Sequence, residues 1–326
     1  MNNIIPEKLL RIEICSKCNF KCEFCCWENA NTENSCSHLT SEDIKSFCES
    51  AVRTGCYNVN LTGGEPLLLD EDYICDVVQK IKQVKGIKQL WITTNGTRLI
   101  NKKFCVKLKN AGLKDLAVSI PAENDIKYRE YSHSQFGLTD ILKGIKNATE
   151  CGIQVRAHIP LNPKGIHRFE HVSVLIPLLK EAGVHTLFYF KINNSNKIKD
   201  SFDDLRIDPK TITDGFDNNP MWHFDKTPAG RPFYTDLRET FRIFIPRESV
   251  YLVTDNCKKQ HCGSYCQGIY SIYLLPGEKN WKVRSCHRIF EDKRNEYQFE
   301  NSLLKEKNGD KLYSFISNIW KYAYEK

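Results

Sequence analysis

The stretch CSKCNFKCEFCC, residues 15–26, places five cysteines within twelve residues and decides how the rest of the sequence is interpreted. Thiols this close together are typical of metal ligands rather than of disulfide bridges. Spacing alone leaves two arrangements open. Cys15, Cys18, Cys22 and Cys25 form two C-x2-C pairs, which suits a four-thiolate zinc site. Cys18, Cys22 and Cys25 alone form C-x3-C-x2-C, which suits an iron–sulfur cluster with one iron left open.

The composition is that of an ordinary globular protein, with 326 residues, 41% hydrophobic and 27% charged. The N-terminus lacks a basic region followed by a long apolar run, and no apolar stretch is long enough to span a bilayer. We therefore expect a cytoplasmic protein with no membrane partner. Its 15 cysteines then favour metal binding over disulfides. The formal charge of +7 suits an anionic substrate, although a lysine-rich solvated surface explains it better, and nothing clearly indicates a nucleic-acid partner.

Short apolar runs alternate with amphipathic segments between residues 11 and 190. The apolar runs are rich in β-branched and aromatic residues and predict strands at 11–14, 57–61, 88–93, 113–120, 153–159 and 185–190. The segments between them each stop at a glycine and predict helices at 39–55, 72–86, 101–112, 138–152 and 171–183. Such alternation requires a parallel sheet with helices outside it, either a barrel or an open doubly wound sheet.

Polar motifs follow the predicted strands, at the end of each strand where barrel enzymes carry their active sites. The cysteine-rich stretch follows the first strand, LTGGEPLL (61–68) the second, ITTNG (92–96) the third and AVSIPA (117–122) the fourth. Adjacent glycines let the backbone approach a ligand closely, although an ordinary Gly-Gly turn has the same sequence. The motifs are far more specific together than singly.

In this order, CNFKCEFC, GGEP, TTNG and VSI resemble the radical S-adenosylmethionine (SAM) superfamily, over roughly residues 9–190. The resemblance implies that Cys18, Cys22 and Cys25 hold a [4Fe–4S] cluster whose fourth iron binds SAM. It also implies that SAM is contacted by Phe24 beside the adenine, by Gly63, Gly64 and Glu65 at the methionine amino group, and by Ser119 on the fourth strand. Cys15 and Cys26 are then neighbours of the cluster. An electron donor such as flavodoxin or ferredoxin is implied as a partner.

Within the superfamily, LLRIEICSKCNFKCEFC is similar to the opening of the GTP 3′,8-cyclases and their auxiliary-cluster relatives. This resemblance implies that Arg11 and Arg156 contact substrate. It further implies a second [4Fe–4S] cluster held by the cysteines near the C-terminus, namely Cys257, Cys262, Cys266 and Cys286. A structural zinc site remains an alternative for this group.

We thus predict an α/β fold, a partial (β/α)6 TIM-like barrel with a C-terminal cysteine-rich auxiliary-cluster subdomain. The predicted units are a radical SAM core at 1–200, a polar connecting insertion at 201–245, and an auxiliary iron–sulfur region with a terminal helix at 246–326.

The sequence does not decide between two classes of substrate. Arg11, Arg156 and the basic charge favour a small anionic, nucleotide-like molecule. Cys257 as a fourth thiolate would favour a ribosomal peptide, and so would Gly268 and Tyr270, which stand where the cyclases carry arginines. A third alternative is a non-catalytic zinc or iron–sulfur binding protein.

Overall fold

The computed structural model describes residues 7–25, 39–191, 207–227, 232–245, 269–275, 281–284, 296–299, 304 and 309–324. Its strands are β1 (Glu7–Cys15), β2 (Asn58–Gly63), β3 (Gln89–Thr94), β4 (Asp115–Ser119), β5 (Gln154–Leu161), β6 (Thr186–Lys191), β7 (Trp222–Lys226), β8 (Pro232–Asp236), β9 (Arg242–Phe244), β10 (Ile269–Leu275), β11 (Trp281–Arg284) and β12 (Glu296–Phe299). Its helices are α1 (Ser41–Arg53), α2 (Glu71–Gln83), α3 (Lys102–Asn110), α4 (Asp125–Ser132), α5 (Leu138–Glu150), α6 (Phe169–Glu181), α7 (Lys210–Asp217) and α8 (Asp310–Tyr324).

The strands form one sheet in the order β12-β11-β10-β1-β2-β3-β4-β5-β6-β9-β8-β7. Strands β1 to β6 are parallel neighbours in chain order, as the alternation of strands and helices predicts. β10 pairs with β1 in parallel and β9 pairs with β6 in parallel. Eight consecutive strands of the sheet therefore run in one direction, and the predicted α/β class with a parallel sheet is confirmed.

Two regions contribute more to the sheet than the sequence patterns predict. Residues 201–245, interpreted as a polar connection, include α7 and the strands β7, β8 and β9, of which β9 extends the parallel sheet beside β6. The C-terminal region supplies β10 next to β1. The proposed division at residues 200 and 245 remains a prediction about domains, while the sheet itself crosses both positions.

Alternation along the strands separates two faces of the sheet. In β1, Leu10, Ile12 and Ile14 are fully buried and belong to the main core beneath the helices. The residues between them lie on the other face, which we call the inner face, where Leu9 packs with Trp91 and Ala117. The inner face and the carboxyl ends of the parallel strands are where a barrel of this kind presents its site.

Helix α8 packs against α1 and so joins the layer of helices outside the sheet. The indole of Trp320 is buried and donates a hydrogen bond to the Thr54 hydroxyl at 2.8 Å, and Arg53 pairs with Asp310 at 2.7 Å. The C-terminal helix is thereby part of the barrel scaffold. Among the described helices, none combines the length and the apolar character that a membrane-spanning segment requires.

The turn between β8 and β9 is organised by Asp236. Its carboxylate accepts hydrogen bonds from the backbone of Thr240 (2.6 Å), from the backbone of Phe241 (3.1 Å) and from the Lys180 ammonium (2.6 Å). Burial acts to raise the pKa of Asp236, but the hydrogen bonds from Lys180 and Thr240 outweigh it and hold the pKa well below its usual range.

We expect Asp236→Asn to lower the free energy of unfolding by about 1 kcal/mol, because the side chain accepts hydrogen bonds from charged and backbone donors. Since the folded-state pKa is depressed, this contribution is present at neutral pH and is lost as pH falls below the ordinary aspartate pKa. Urea unfolding at pH 7 and at pH 3 measures it. An equal deficit of the variant at both pH values would contradict the assignment.

Candidate functional site

The carboxyl ends of β1, β2, β3 and β4 bring the predicted motifs to one edge of the sheet. Cys15 ends β1 and is followed by residues 16–25, which we call the cysteine loop. Gly63, Thr94 and Ser119 end the next three strands. The structure therefore brings together the four motifs, as expected for consecutive parallel strands.

The two glycines press directly against the start of the cysteine loop. Gly63 has φ +130, and a Cβ there would overlap the carbonyl oxygen of Cys15. A Cβ on Gly64 would overlap the carbonyl oxygens of Ser16 and Lys17. Because neither glycine has a Cβ, the Gly64 amide can donate a hydrogen bond to the Cys15 carbonyl oxygen at 2.7 Å, and the Glu65 amide can donate one to the Lys17 carbonyl oxygen at 2.8 Å. Only glycine allows this backbone-to-backbone contact.

The Glu65 side chain is fully buried and bonds to the third motif. Its carboxylate accepts from the Thr94 hydroxyl and from the Asn95 amide, both at 2.6 Å, and from the Leu67 amide at 3.0 Å. Burial raises the pKa of Glu65 to about 7, although these three donors act in the opposite direction. The Glu65 carboxylate thus connects the GGEP motif after β2 to the TTNG motif after β3 by hydrogen bonds. The Glu65 backbone amide bonds to the cysteine loop instead.

We expect Glu65→Ala to lower the free energy of unfolding by about 3 kcal/mol, because it leaves buried donors without an acceptor. Glu65→Gln keeps one carbonyl oxygen and should lose less than half of that. Urea unfolding of both full-length variants measures the difference. Equal losses in the two variants would show that side-chain volume, rather than hydrogen bonding, is what matters.

The three thiols of the predicted cluster differ in environment from Cys15. Cys18, Cys22 and Cys25 are half-buried on the cysteine loop, whereas Cys15 is 1% exposed within the sheet edge. Burial raises the pKa of the Cys18 thiol to about 11, an effect partly offset by the hydrogen bond that the Phe20 amide donates to it. In the described part of the chain, no three histidine, cysteine, aspartate or glutamate side chains are placed to hold a metal ion.

Helix α4 and the loop after β5 hold the cysteine loop from one side. The amides of Lys21 and Glu23 donate to the carbonyl oxygens of Ser132 (3.0 Å) and Tyr131 (3.4 Å). The Phe24 ring stacks on the Tyr131 ring with centroids 5.3 Å apart and planes 19° from parallel. We call these contacts the α4 clamp.

The clamp continues beyond α4. The Tyr131 hydroxyl donates to Asn162 Oδ1, and the same oxygen accepts from the amides of Lys164 and Gly165. The Lys164 ammonium pairs with Glu23 at 2.8 Å. Sequence reasoning missed Tyr131 and Asn162, since neither stands in a motif and α4 itself was not predicted.

Polar residues of the third motif hold the loop from the other side. Asn95 donates from its side-chain amide to Asn19 Oδ1 at 2.7 Å, and Asn19 donates to the Thr97 hydroxyl at 3.1 Å. The same Asn95 amide lies 4.0 Å from Cys18 Sγ. The cysteine loop is therefore anchored on both sides mainly by backbone, amide and ring contacts, with Cys18 as the one thiol among these partners.

The remaining predicted residues lie on the inner face or beyond the described residues. Arg11 donates to Asn60 Oδ1 at 3.2 Å, and the Arg156 guanidinium lies 4.6 Å from the Trp91 ring centroid. Ser119 is half-buried at the end of β4, where its carbonyl oxygen accepts from the Tyr128 hydroxyl at 3.1 Å. The cysteines of the C-terminal group lie outside the described residues, and these are Cys257, Cys262, Cys266 and Cys286.

Known proteins are similar to this chain in sequence and in fold. The family profile described as the radical SAM superfamily matches residues 12–172. The GTP 3′,8-cyclase of Aquifex aeolicus (strain VF5) is 27% identical over 328 residues, covering 97% of this chain and 89% of the cyclase. The GTP 3′,8-cyclase of Thermodesulfovibrio yellowstonii is 35% identical over 147 residues, covering 44% of each chain.

Solved structures share the fold at lower identity. SuiB of Streptococcus suis has a TM-score of 0.63 and 17% identity, covering 95% of this chain and 66% of SuiB. A second SuiB structure, bound to S-adenosylmethionine, has a TM-score of 0.60 and 15% identity. The predicted partial barrel is thereby confirmed as the fold class.

Residues 12–172 form a radical SAM domain. The protein is a radical SAM enzyme, and its sequence is similar to GTP 3′,8-cyclases. The family implies SAM and a [4Fe–4S] cluster as cofactors.

Proposed function

We propose that Cys18, Cys22 and Cys25 bind a [4Fe–4S] cluster and that SAM binds its open iron beside Gly63 and Gly64. The observation that carries this proposal is the close packing of the glycine pair against the backbone of the cysteine loop. A Cβ at either glycine would overlap carbonyl oxygens of the loop, so only glycine lets the end of β2 and the cysteine loop approach this closely.

The donor set suits this cofactor pair. Thiolates are soft ligands that favour iron–sulfur clusters, and the three thiols here are half-buried on one anchored loop. When bound, the cluster and SAM supply a 5′-deoxyadenosyl radical that takes a hydrogen atom from the substrate. Phe24, held by the α4 clamp, would pack beside the adenine, and Ser119 would contact SAM from β4. Glu65 would act through its backbone, because its carboxylate is engaged by Thr94 and Asn95.

We favour a small anionic, nucleotide-like substrate. Arg11 and Arg156 both lie on the inner face and would bring positive charge to it. Similarity to GTP 3′,8-cyclases over 97% of this chain supports the same choice. A peptide substrate is the alternative, and it would gain support if Cys257 proved to be a fourth ligand of an auxiliary cluster.

We further propose that Cys257, Cys262, Cys266 and Cys286 bind the auxiliary [4Fe–4S] cluster, and that a flavodoxin or ferredoxin reduces the enzyme. Fe–S clusters are commonly held by three or four cysteines at such spacings. The competing assignment for this group is a structural zinc ion.

Anaerobic reconstitution with iron and sulfide tests the proposal. We expect about eight iron atoms per chain and, after reduction, conversion of SAM to 5′-deoxyadenosine and methionine. Metal analysis and chromatography of the products measure both. Iron near four with one zinc would assign the C-terminal cysteines to zinc, and iron incorporation without SAM cleavage would refute the enzymatic function.

A further inference from the structure

Tyr128 on α4 lies between the cysteine loop and the end of β4. The side chain is fully buried, and its ring meets the Phe20 ring of the cysteine loop edge to face, with centroids 6.3 Å apart and planes 79° from parallel. Its hydroxyl donates a hydrogen bond to the carbonyl oxygen of Ser119 at 3.1 Å. One side chain therefore contacts both the loop that carries the three thiols and the strand end that would contact SAM.

The peptide group that joins Ser119 to Ile120 is held from two sides. Its carbonyl oxygen accepts from the Tyr128 hydroxyl, and its amide donates to the carbonyl oxygen of His158 on β5 at 2.8 Å. Because β4 ends at Ser119, the chain leaves the sheet directly after this group. Without the hydroxyl, the carbonyl end could rotate, and the direction of the adjoining Ser119 side chain would change with it.

Helix α4 in turn fixes the position of Tyr128. The Ser132 hydroxyl donates to the Tyr128 carbonyl oxygen at 2.6 Å, and the Ser132 carbonyl oxygen accepts from the Lys21 amide within the α4 clamp. Burial raises the pKa of the Tyr128 hydroxyl well above its usual range, so the hydroxyl stays protonated and remains a donor. The tyrosine thus belongs to a helix that is itself bonded to the cysteine loop.

We propose that Tyr128 is a positioning residue that holds Ser119 in the place and orientation in which it can contact SAM bound beside the cysteine loop. Tyr128 would act on SAM through Ser119, because its hydroxyl is engaged by the Ser119 carbonyl oxygen and its ring is packed on Phe20. A residue with only a packing role would need the ring and not the hydroxyl. The inference rests on the proposed function, since it assigns a further residue to the same SAM site.

Calorimetric titration with SAM tests the assignment in the reconstituted full chain, without reductant so that SAM is bound and not cleaved. Tyr128→Phe keeps the ring and removes the hydroxyl. We expect it to weaken SAM binding about tenfold and to leave the iron content unchanged, as is typical when a group that orients a contacting residue is lost.

Tyr234→Phe is the matched control. It removes an equally buried hydroxyl, which donates to the Asp217 carboxylate at 2.7 Å in the outer layer of helices. This variant should bind SAM with the affinity of the wild type. A similar loss of SAM affinity in both variants would show a general effect of removing a buried hydroxyl and would overturn the assignment.

A double-mutant cycle with Ser119→Ala shows whether Tyr128 acts through Ser119. Ser119→Ala removes the proposed contact with SAM, so it should weaken binding by itself. If the hydroxyl serves only to place that side chain, the double variant should bind SAM no more weakly than Ser119→Ala alone. Multiplication of the two effects to about 100-fold would contradict action through Ser119, since independent sites are additive in free energy.

Hydrogen exchange in the apoprotein gives a readout that needs neither cluster nor SAM. The Ile120 amide belongs to the peptide group that the Tyr128 hydroxyl holds. We expect this amide to exchange about tenfold faster in Tyr128→Phe than in the wild type, because the group opens more often, and to be unaffected in Tyr234→Phe. Unchanged exchange in Tyr128→Phe would show that the hydroxyl does not hold this peptide group.

The failure of this inference differs from the failure of the proposed function. If the wild type binds and cleaves SAM and Tyr128→Phe or Ser119→Ala binds SAM equally well, the positioning role is wrong and the radical SAM function stands. If the reconstituted wild type does not bind SAM, the proposed function fails, and the positioning role fails with it whatever the exchange rates.

Discussion

Cys22→Ala should reduce SAM cleavage by at least ~100-fold and remove about four iron atoms per chain, because it deletes one of the three proposed ligands of the cluster. The fold should survive, since the cysteine loop is anchored through the backbone of Lys21 and Glu23 and through Phe24 rather than through its thiols. Iron analysis, the rate of 5′-deoxyadenosine formation and circular dichroism test these statements together.

Cys75→Ala is the matched control for this substitution. Cys75 is also a half-buried free thiol, but it lies on α2, in the layer of helices outside the sheet, and not on the cysteine loop. It should retain iron and activity. If Cys22→Ala kept full iron and activity, the C-x3-C-x2-C assignment would be wrong, and retention of activity by Cys22→Ala but not by Cys15→Ala would favour a different set of ligands.

Gly64→Ala should lower the rate of SAM cleavage by about 100-fold, the effect expected when reacting groups are displaced by about 1 Å. The added methyl group would overlap the carbonyl oxygens of Ser16 and Lys17, so the cysteine loop must move away from β2. The hydrogen bonds from Gly64 to Cys15 (2.7 Å) and from Glu65 to Lys17 (2.8 Å) would lengthen with it. SAM affinity and cleavage rate are the measurements, with iron content determined alongside.

Gly55→Ala separates this local effect from a general loss of stability. Gly55 has φ +83, so alanine there is strained by about 1 kcal/mol, yet no atom lies within 4 Å of the added methyl group. The control should be less stable than the wild type but keep its affinity for SAM. Normal SAM affinity and cleavage in Gly64→Ala would show that the loop does not need its close approach to β2.

The strands from β1 to β6 could be predicted because they are fully or largely buried, and their sequences are therefore apolar runs rich in β-branched residues. Helix α4 could not be predicted in the same way. Its buried residues include Tyr128 and Tyr131, while Ile126 is 77% exposed, so its apolar residues do not mark one face. Strand β9 escaped prediction because it is only three residues long, and its place beside β6 depends on the tertiary fold.

Some contacts of the candidate site could likewise be predicted from the sequence, and others could not. The meeting of Cys18, Gly64 and Glu65 follows from parallel strands whose carboxyl ends share one edge, so chain order is sufficient to predict it. The locking of Glu65 to Thr94 and Asn95, and the stacking of Phe24 on Tyr131, depend on side-chain directions that no motif specifies. The stacking of Phe188 on β6 against Phe244 on β9 could not be predicted either, because residues 201–245 were interpreted as a connection.

The α4 clamp has a consequence for how the enzyme acquires its cofactor. Because α4 and Asn95 hold the loop mainly through its backbone, Phe24 and Asn19, the conformational entropy of this segment is lost during folding of the chain rather than during metal uptake. The apoprotein should therefore present a preorganised receptor to incoming iron and sulfide, so that cluster insertion resembles ligand binding to a rigid site more than coupled folding and binding. Maturation could then follow synthesis of a complete barrel, with no need for iron during translation.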